Sequence, residues 1–318
     1  MEALGEKLAK VRGAIGQVIY GQQAVVDQTL ITLLAGGHAL LIGVPGLAKT
    51  RLAETLGTVF GVGEKRVQCT PDLMPADILG SEVLEEQEDG RRAFRFIPGP
   101  VFTQLLMADE INRASPRTQS ALLQAMQEHR VTVAGQTHTL PEPFHVLATQ
   151  NPLEQEGTYP LPEAQLDRFF MEINVGYPPQ DAEREMLLAT TGIEESAAKQ
   201  AMSAEELLRA QRLVRQIPVG ESVVEAILGV VRNGRPETTE IPEIKNQVSW
   251  GPGPRASQAL MLAVRAQAAL DGRFAPSVDD VVALAPPVLR HRMALSFAAR
   301  ADGVQIGEVI ARLSAPYA

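Results

Sequence analysis

Apolar residues recur along this chain at two spacings, and each spacing predicts one type of element. Ahead of Gly36-Gly37 they follow the helical period twice, so two helices are predicted before the first strand. Beyond that point they form short continuous runs, which are typical of strands buried on both faces of a parallel sheet. The helical positions are Leu4, Leu8, Val11, Ile15 and Val18, then Val25, Val26, Leu30, Leu33 and Leu34. The five predicted strands are residues 39–42, 66–69, 105–108, 145–149 and 170–175.

Two segments interrupt this alternation of strands and helices. Residues 81–96 and 130–140 each form two extended arms around a turn, at 88–90 and 134–136, which predicts β-hairpins inserted into the sheet domain. Beyond Tyr177-Pro178-Pro179 the pattern is helical, with no predicted strand. The chain is therefore predicted as an α/β fold. Residues 1–178 form an open parallel five-stranded sheet with two hairpin inserts, and residues 179–318 form an all-α domain.

Composition excludes several classes of protein. The net charge of −9 argues against a protein that mainly neutralises nucleic-acid phosphates. Cys69 is the only cysteine, so no intramolecular disulfide can form, and we predict a buried thiol in a cytoplasmic protein. Charged residues within the first ten positions predict an amphipathic helix rather than a signal peptide. The most apolar stretch, 25–44, is interrupted by Asp27 and His38, so no membrane span is predicted.

The first predicted strand runs directly into Gly43-Val44-Pro45-Gly46-Leu47-Ala48-Lys49-Thr50, which opens a helix. This is the context of a phosphate-binding loop, in which backbone N–H groups and the helix dipole face phosphate oxygens. Lys49 is predicted to contact the β and γ phosphates, and the Thr50 hydroxyl to bind Mg²⁺. The strict pattern has Gly in place of Ala48, and Ala is unfavourable there only if the backbone needs positive φ. On the loop alone, an ordinary turn between a strand and a helix is the alternative.

A pair of carboxylates follows the third predicted strand. Asp109 and Glu110 come directly after an apolar run, at the carboxyl edge where open α/β sheets bind ligands. We predict that Asp109 holds Mg²⁺ through its water shell and that Glu110 polarises the attacking water. An acidic pair after a strand is otherwise the start of a solvated loop. The functional interpretation therefore depends on its combination with the upstream loop.

Three further polar residues occupy positions suited to act on a nucleotide. Asn151 follows the fourth predicted strand, where its amide can bond the γ-phosphate or the lytic water. In an Asn-Pro pair it is also a common turn residue. Arg168 precedes the last predicted strand, and Arg255 lies at a helix start in the second domain. Either arginine is otherwise a structural residue in a salt bridge.

Together these residues resemble those of the AAA+ P-loop ATPases, and the surrounding sequence is similar to one branch, the MoxR family. The resemblance extends over residues 15–292, nearly the whole chain. The family tolerates Ala before the loop lysine. The most specific segments are Gly36-Gly37-His38, residues 43–50, Asp109-Glu110-Ile111-Asn112-Arg113, residues 148–152 and residues 161–169.

The resemblance implies a role for each of the predicted site residues. It implies that Asn151 is sensor 1, that Arg168 is an arginine finger offered to a neighbouring subunit, and that Arg255 is sensor 2, which contacts the γ-phosphate of its own subunit. Gly251-Pro252-Gly253-Pro254 before Arg255 departs from the small polar cap of many relatives. The two hairpins match the helix-2 insert and the insert before sensor 1. The implied nucleotide-binding residues are Ile19, Tyr20, Gly21, Gly43, Pro45, Gly46, Leu47, Ala48, Lys49, Thr50, Arg51 and Arg255, with Mg²⁺ at Thr50 and Asp109.

The function implied by the resemblance is that of a homo-oligomer, a hexameric ring, which hydrolyses ATP with Mg²⁺ to remodel client proteins. Such clients are commonly metal-binding proteins with a von Willebrand A domain. The ring would assist cofactor or metal insertion and complex assembly.

Three other functions share parts of this pattern. DNA motors carry similar hairpins, but the second hairpin here has no Lys or aromatic residue at its tip, so nucleic acid is not the expected partner. A magnesium-chelatase-like motor subunit shares both inserts. A nucleotide-dependent regulatory switch with little turnover is the third. Retention of Glu110, Asn151 and Arg168 disfavours the switch, because a pure binder does not need groups that act on the γ-phosphate.

Overall fold

The structure, a computed structural model, describes residues 2–86, 92–154, 156–191 and 197–318. The strands are β1 (Ala39–Ile42), β2 (Glu64–Gln68), β3 (Gly80–Glu86), β4 (Arg92–Pro98), β5 (Leu105–Asp109), β6 (Arg130–Val133), β7 (Gln136–Thr139), β8 (His145–Gln150), β9 (Met171–Asn174), β10 (Val248–Trp250) and β11 (Ala294–Leu295). The helices are α1 (Glu2–Gly16), α2 (Gln23–Ala35), α3 (Lys49–Phe60), α4 (Pro75–Leu79), α5 (Pro116–Glu128), α6 (Glu163–Leu166), α7 (Gln180–Thr190), α8 (Ala204–Gln216), α9 (Glu221–Asn233), α10 (Pro242–Gln247), α11 (Pro254–Leu270), α12 (Val278–Leu289), α13 (Phe297–Ala301) and α14 (Ile306–Ser314).

Five of these strands form one parallel sheet in the order β2-β5-β8-β1-β9. They are the strands that the apolar runs predict, which confirms the open five-stranded sheet. Successive side chains of a strand point to opposite faces. Leu40 and Leu106 therefore enter one core, and Leu41 and Met107 enter the other. Because all five strands are parallel, their carboxyl ends meet at one edge.

Strand β2 differs from its prediction as a buried run over 66–69. It covers residues 64–68 at the edge of the sheet, and Val67 is its one buried side chain. Cys69 follows the strand and is buried, as expected. Burial, together with the neighbouring charges of Asp109 and Glu110, raises the pKa of the Cys69 thiol to about 12. The thiol therefore stays protonated at neutral pH and acts as a small apolar group.

Gly36-Gly37-His38 forms the junction between α2 and β1. Gly36 ends the helix with a φ of 77°, which glycine adopts without a Cβ clash. Gly37 lies so close to Phe170 that a Cβ on it would come within 2.5 Å of the Phe170 Cβ. His38 is buried, and its Nδ1 accepts the N–H of Val146 at 3.0 Å. Burial lowers the pKa of His38 to about 3, so the ring is neutral and belongs to the core.

Both predicted inserts are antiparallel hairpins. β3 pairs with β4, and the predicted turn at 88–90 lies outside the described residues. β6 pairs with β7 across Ala134 and Gly135, whose φ values are 48° and 82°. Two consecutive positive φ values are typical of the turns that match the twist of a tight hairpin. The inserts also contact each other, since the rings of Phe96 and His138 stack with 3.9 Å between their centroids.

Residues beyond 178 are helical, as predicted, with one exception. β10 pairs antiparallel with β11, so the prediction of no strand in this part of the chain is wrong at that point. Strands of three and two residues are too short to produce a recognisable alternation. We call residues 179–318 the helical lid. Within the described ranges, no helix is both long and apolar enough to cross a membrane.

The helical lid shares a hydrophobic core with the first part of the chain. A single buried cluster contains Leu8 of α1, Leu30 of α2, Leu260 and Val264 of α11, and Ile310 of α14. The predicted domain boundary at residue 178 stays a prediction, because one hydrophobic core joins the chain segments on either side of it.

Leu30→Ala should lower the free energy of unfolding by about 2–5 kcal/mol, because it removes a fully buried side chain between α2 and the lid. The matched control, Leu213→Ala, changes an exposed leucine of α8 and should have an effect within about 0.5 kcal/mol. Scanning calorimetry should show one transition in both variants. Two transitions, of which Leu30→Ala moves only one, would show that the lid folds independently.

Candidate active site

Residues 43–50 connect β1 to α3. Lys49 is the first residue of α3, and its Nζ donates hydrogen bonds to the carbonyl oxygens of Gly43 and Val44, the second at 3.2 Å. Gly46 and Ala48 have positive φ, 84° and 56°. Left-handed residues in such a loop are typical of nests, in which successive N–H groups form a concave anion site. The loop therefore combines N–H groups, an ammonium group and a helix N-terminus.

This loop borders a cavity of about 480 Å³. Four segments that are distant in sequence line it: the loop with the start of α3, strand β2, the end of β5 and the end of β8. The lining residues are Pro45, Gly46, Leu47, Ala48, Lys49, Thr50, Arg51, Arg66, Gln68, Asp109, Glu110, Thr149 and Asn151.

Thr149 holds the acidic pair at this cavity. Asp109 ends β5, and Glu110 follows it with a φ of 55°. Thr149 Oγ1, on the neighbouring strand β8, donates to Asp109 Oδ1 at 2.5 Å and accepts the N–H of Glu110 at 2.9 Å. Arg113 Nη1 donates to Glu110 Oε2 at 3.0 Å. Sequence reasoning missed Thr149, because a threonine near the end of a buried strand has the composition of an ordinary strand residue.

Two side chains of β2 also bind the acidic pair, and sequence reasoning missed both. Arg66 Nη2 donates to Asp109 Oδ2 at 2.5 Å, and Gln68 Nε2 donates to Glu110 Oε2 at 2.9 Å. β2 pairs in parallel with β5, so side chains on one face of β2 lie beside the two carboxylates. The available signal is the alternation of polar Arg66 and Gln68 around apolar Val67. It indicates a half-exposed strand but does not reveal the neighbouring strand.

The donors in this cavity suit a divalent cation bound with a nucleotide. The Thr50 hydroxyl and the Asp109 carboxylate both line it, and Mg²⁺ binds a few such oxygen atoms together with water and phosphate. Asp109 forms a salt bridge with the guanidinium of Arg66, so a positive charge already lies beside this carboxylate. Burial lowers the pKa of Lys49, while nearby carboxylates, Asp109 first among them, act in the opposite direction. The residues present therefore fit Mg²⁺ and a polyphosphate.

A second and more apolar cavity, of about 370 Å³, adjoins the first across the phosphate-binding loop. Ile19 and Tyr20 line it, so the structure brings them to the loop, and their contact with adenine stays a prediction. Gly21 has a φ of 64°, and a Cβ on it would come within 2.4 Å of the Ala182 Cβ, so glycine is needed for the close approach of α7. Sequence reasoning missed several lining residues, namely Val18, Gln22, Tyr177, Pro178, Glu183, Met186 and Thr190.

Asn151 lies directly after β8 and lines the first cavity. Its side chain is buried, and its Oδ1 accepts the N–H of Leu153 at 3.1 Å. This bond is the local turn that an Asn-Pro pair favours. The amide N–H groups are then the donors that a ligand in the cavity can use. The Asn151 side chain can therefore stabilise the turn through its oxygen and contact a ligand through its amide N–H groups.

The two arginines lie outside the first cavity. Arg168 and Arg255 both line a separate groove of about 250 Å³. Arg255 Nη1 is 3.7 Å from Asp167 Oδ2. Among the described residues, the Arg168 guanidinium has no hydrogen-bond or ion-pair partner. The structure thus holds Arg255 beside Asp167, and its contact with the γ-phosphate of its own subunit stays a prediction.

Two family profiles match this chain. The profile described as "ATPase family associated with various cellular activities (AAA)" covers residues 38–171, which include the phosphate-binding loop, the acidic pair, Asn151 and Arg168. The profile described as "AAA lid domain" covers residues 243–313, which include Arg255.

The chain is also similar to whole proteins. It is 43% identical to "Chaperone MoxR1" of Mycobacterium tuberculosis over 94% of this chain and 78% of that protein. It is 40% identical to the uncharacterized protein YeaC of Bacillus subtilis over 97% of this chain and 93% of that protein. A crystal structure from Cytophaga hutchinsonii, described as a candidate ATPase, superposes with a TM-score of 0.90 and 35% identity. That match covers 98% of this chain and 94% of the other.

Ala48→Gly should raise the free energy of unfolding by about 1 kcal/mol, because Ala48 occupies the left-handed region that glycine adopts at lower cost. The matched control is Ala9→Gly, at an exposed position of helix α1. This substitution should lower the free energy of unfolding by about 1 kcal/mol. Denaturant unfolding measures both. A loss of stability in Ala48→Gly would mean that the loop is not strained at this residue.

Proposed function

Because this chain belongs to the MoxR family of AAA+ ATPases, we propose that it binds ATP with Mg²⁺, hydrolyses it, and uses the cycle to remodel client proteins. The observation that carries the proposal is the convergence of Lys49, Thr50, Asp109, Glu110 and Asn151 on one cavity. A loop lysine, a hydroxyl and a carboxylate for Mg²⁺, and groups that orient the attacking water are the recurring parts of phosphoryl-transfer sites.

In the proposed complex the phosphates lie along residues 43–50, and adenine occupies the adjoining apolar cavity. Lys49 exchanges its carbonyl partners for oxygen atoms of the β and γ phosphates, which gives charge-assisted hydrogen bonds. Thr50 and Asp109 would hold Mg²⁺, which when bound would neutralise charge on the phosphate oxygens. Direct binding of the cation to Asp109 Oδ2 would require Arg66 to release that oxygen atom.

Glu110 is the proposed general base. Its carboxylate takes a proton from the water that attacks the γ-phosphate, and the Asn151 amide orients the phosphate or that water. Gln68 and Arg113 hold Glu110 Oε2 and so restrict the rotation of the carboxylate. Restricting a catalytic group in this way reduces the entropy that is lost when the reacting atoms are brought together.

We place Arg168 and Arg255 at the nucleotide of a neighbouring subunit in a homo-oligomer, a hexameric ring. Support comes from their shared groove, which is separate from the cavity of their own chain, and from the guanidinium of Arg168, which has no partner within the part of the chain that the structure describes. An arginine supplied by another protein chain stabilises the charge that develops on the transferred phosphoryl group. The own-subunit contact that the family resemblance implies for Arg255 stays the alternative placement.

The client is the part of the proposal that rests most on relatives. One relative bears the name "Chaperone MoxR1", which supports a function in remodelling other proteins. We propose a client or adaptor with a von Willebrand A domain, and an outcome of cofactor or metal insertion or complex assembly. A cytoplasmic location is proposed on the single, buried Cys69, because the chain contains no cysteine pair that oxidation could join.

Glu110→Gln should bind ATP with nearly unchanged affinity and hydrolyse it about 10²–10⁴ times more slowly, because the amide keeps the shape of the side chain and loses the base. The matched control is Glu54→Gln on the exposed face of α3, which should hydrolyse ATP at the original rate. Calorimetry gives the affinity, and phosphate release gives the rate. Unchanged turnover in Glu110→Gln would assign the base to another residue. Tight binding without turnover in the unmodified protein would favour the regulatory switch.

Arg168→Ala should keep ATP binding and lose hydrolysis by about 10³–10⁵. Lys49→Ala should lose nucleotide binding, because an uncharged side chain cannot replace the ammonium in the phosphate site. Mixing the two inactive variants under conditions of subunit exchange should restore part of the activity. The Lys49→Ala subunit still presents Arg168, and the Arg168→Ala subunit still has an intact loop. An inactive mixture, with exchange verified by labelled subunits, would contradict the intersubunit role of Arg168.

A further inference from the structure

Arg292 binds the chain segment that carries Arg168. The residue is 2% exposed and lies in the 3₁₀ turn Arg290–Arg292, directly after α12. It donates five hydrogen bonds, four of them to residues 167–170. Nε donates to Asp167 Oδ1 at 2.8 Å, Nη1 to the carbonyl oxygens of Phe170 at 3.1 Å and Val288 at 2.5 Å, and Nη2 to those of Asp167 at 3.3 Å and Phe169 at 2.6 Å.

Two other lid residues bind the same segment. His291 Nε2 lies 2.9 Å from the carbonyl oxygen of Phe169. Burial lowers the pKa of His291 well below its usual value, so the ring is neutral and this nitrogen is the donor. Arg255 contacts the second carboxylate oxygen of Asp167 at 3.7 Å. Lid side chains therefore hold the residues on both sides of Arg168, whereas the Arg168 guanidinium itself has no partner among the described residues.

We propose that Arg292 is a positioning residue for Arg168: the buried lid guanidinium fixes the backbone of residues 167–170, so that Arg168 is presented to the nucleotide of the neighbouring subunit. The inference rests on the proposed function, because it requires ATP hydrolysis with Arg168 acting between subunits. It adds a residue that touches neither the nucleotide nor the phosphate-binding loop of its own chain.

The chemistry of the guanidinium explains why an arginine occupies this position. Its donors form a rigid planar fork, so one buried side chain can bind a carboxylate and several carbonyl groups at once. Asp167 supplies the countercharge that a buried cation needs. A lysine keeps the charge but offers three donors on a flexible stem, so Arg292→Lys should loosen the segment. A misplacement of about 1 Å in a group that acts on the transition state can cost about 10² in rate.

Arg292→Lys is the first test. ATP affinity, measured by calorimetry, should stay within about twofold, and hydrolysis should fall by about 10², because only the presentation of Arg168 is disturbed. Hydrogen–deuterium exchange should rise in the peptide that covers residues 167–170 and stay unchanged in the peptide that covers residues 43–50. Asp167→Asn, which removes the countercharge and keeps the shape, should show the same pattern and serves as the second variant.

The matched control is Arg273→Lys. Arg273 is also a lid arginine, and it binds Asp271, which directly follows α11, and Asp280 in the first turn of α12, with no hydrogen bond to residues 167–170 among the described contacts. This substitution should leave ATP hydrolysis and the exchange of both peptides unchanged. Equal losses in Arg273→Lys and Arg292→Lys would show that the effect is a general loosening of the lid, which would overturn the inference.

Mixing experiments separate positioning from a structural defect. Arg292→Lys mixed with Lys49→Ala should regain activity, because the Lys49→Ala subunit presents a correctly held Arg168 to the intact loop of its neighbour. Arg292→Lys mixed with Arg168→Ala should stay at the low level, because neither subunit presents a working arginine.

Other outcomes would overturn the inference. Hydrolysis by Arg292→Lys at the original rate, unchanged exchange in residues 167–170, or the same result in both mixtures would each do so. If the reference mixture of Lys49→Ala with Arg168→Ala stays inactive, the intersubunit role in the proposed function has failed. The exchange measurement still decides whether Arg292 holds the segment.

Discussion

Parallel hydrogen bonding between β5 and β8 is the constraint on which the candidate site depends. The register pairs Ala108 with Ala148 and so brings Thr149 beside the acidic pair, where its hydroxyl bonds both residues. Strand β1 pairs with the other side of β8, with Ile42 opposite Gln150, so the phosphate-binding loop begins at the same edge. A shift of one residue in either pairing would reverse the faces of the strand. The carboxylates and the loop lysine would then no longer share one cavity.

The parts of the site that the sequence predicts are those formed within one short segment. Residues 43–50 form a contiguous motif between a strand and a helix, and Asp109 with Glu110 ends a recognisable apolar run. Arg66 and Gln68 were not predictable, because their proximity to the carboxylates follows from the strand order β2-β5-β8-β1-β9, which no local pattern specifies. The same holds for the grouping of Arg168 with Arg255, which depends on how the lid packs. β10 and β11 were missed because they are too short to show a period.

Two of the four described non-glycine residues with positive φ lie at this edge of the sheet. Ala48 and Glu110 both have positive φ and both line the first cavity. A residue with a Cβ in that region costs about 1–3 kcal/mol and persists only where neighbouring contacts enforce it. At Glu110 the enforcing contact is the Thr149 hydroxyl on its N–H. At Ala48 the chain turns directly into α3, where Lys49 bonds the start of the loop. One strained residue thus precedes the loop lysine, and the other is the proposed general base.

The shared core also restricts how the lid can take part in the reaction. Separation of α11 from α2 would expose side chains such as Leu30, Leu260 and Val264. Each fully buried aliphatic side chain of this size contributes about 1.5–3 kcal/mol, so the shared core opposes such a movement. The lid stays packed against α2, and Arg292 donates hydrogen bonds to residues 167–170. The proposed roles of Arg168 and Arg255 at a nucleotide therefore require a second copy of the chain to complete the site.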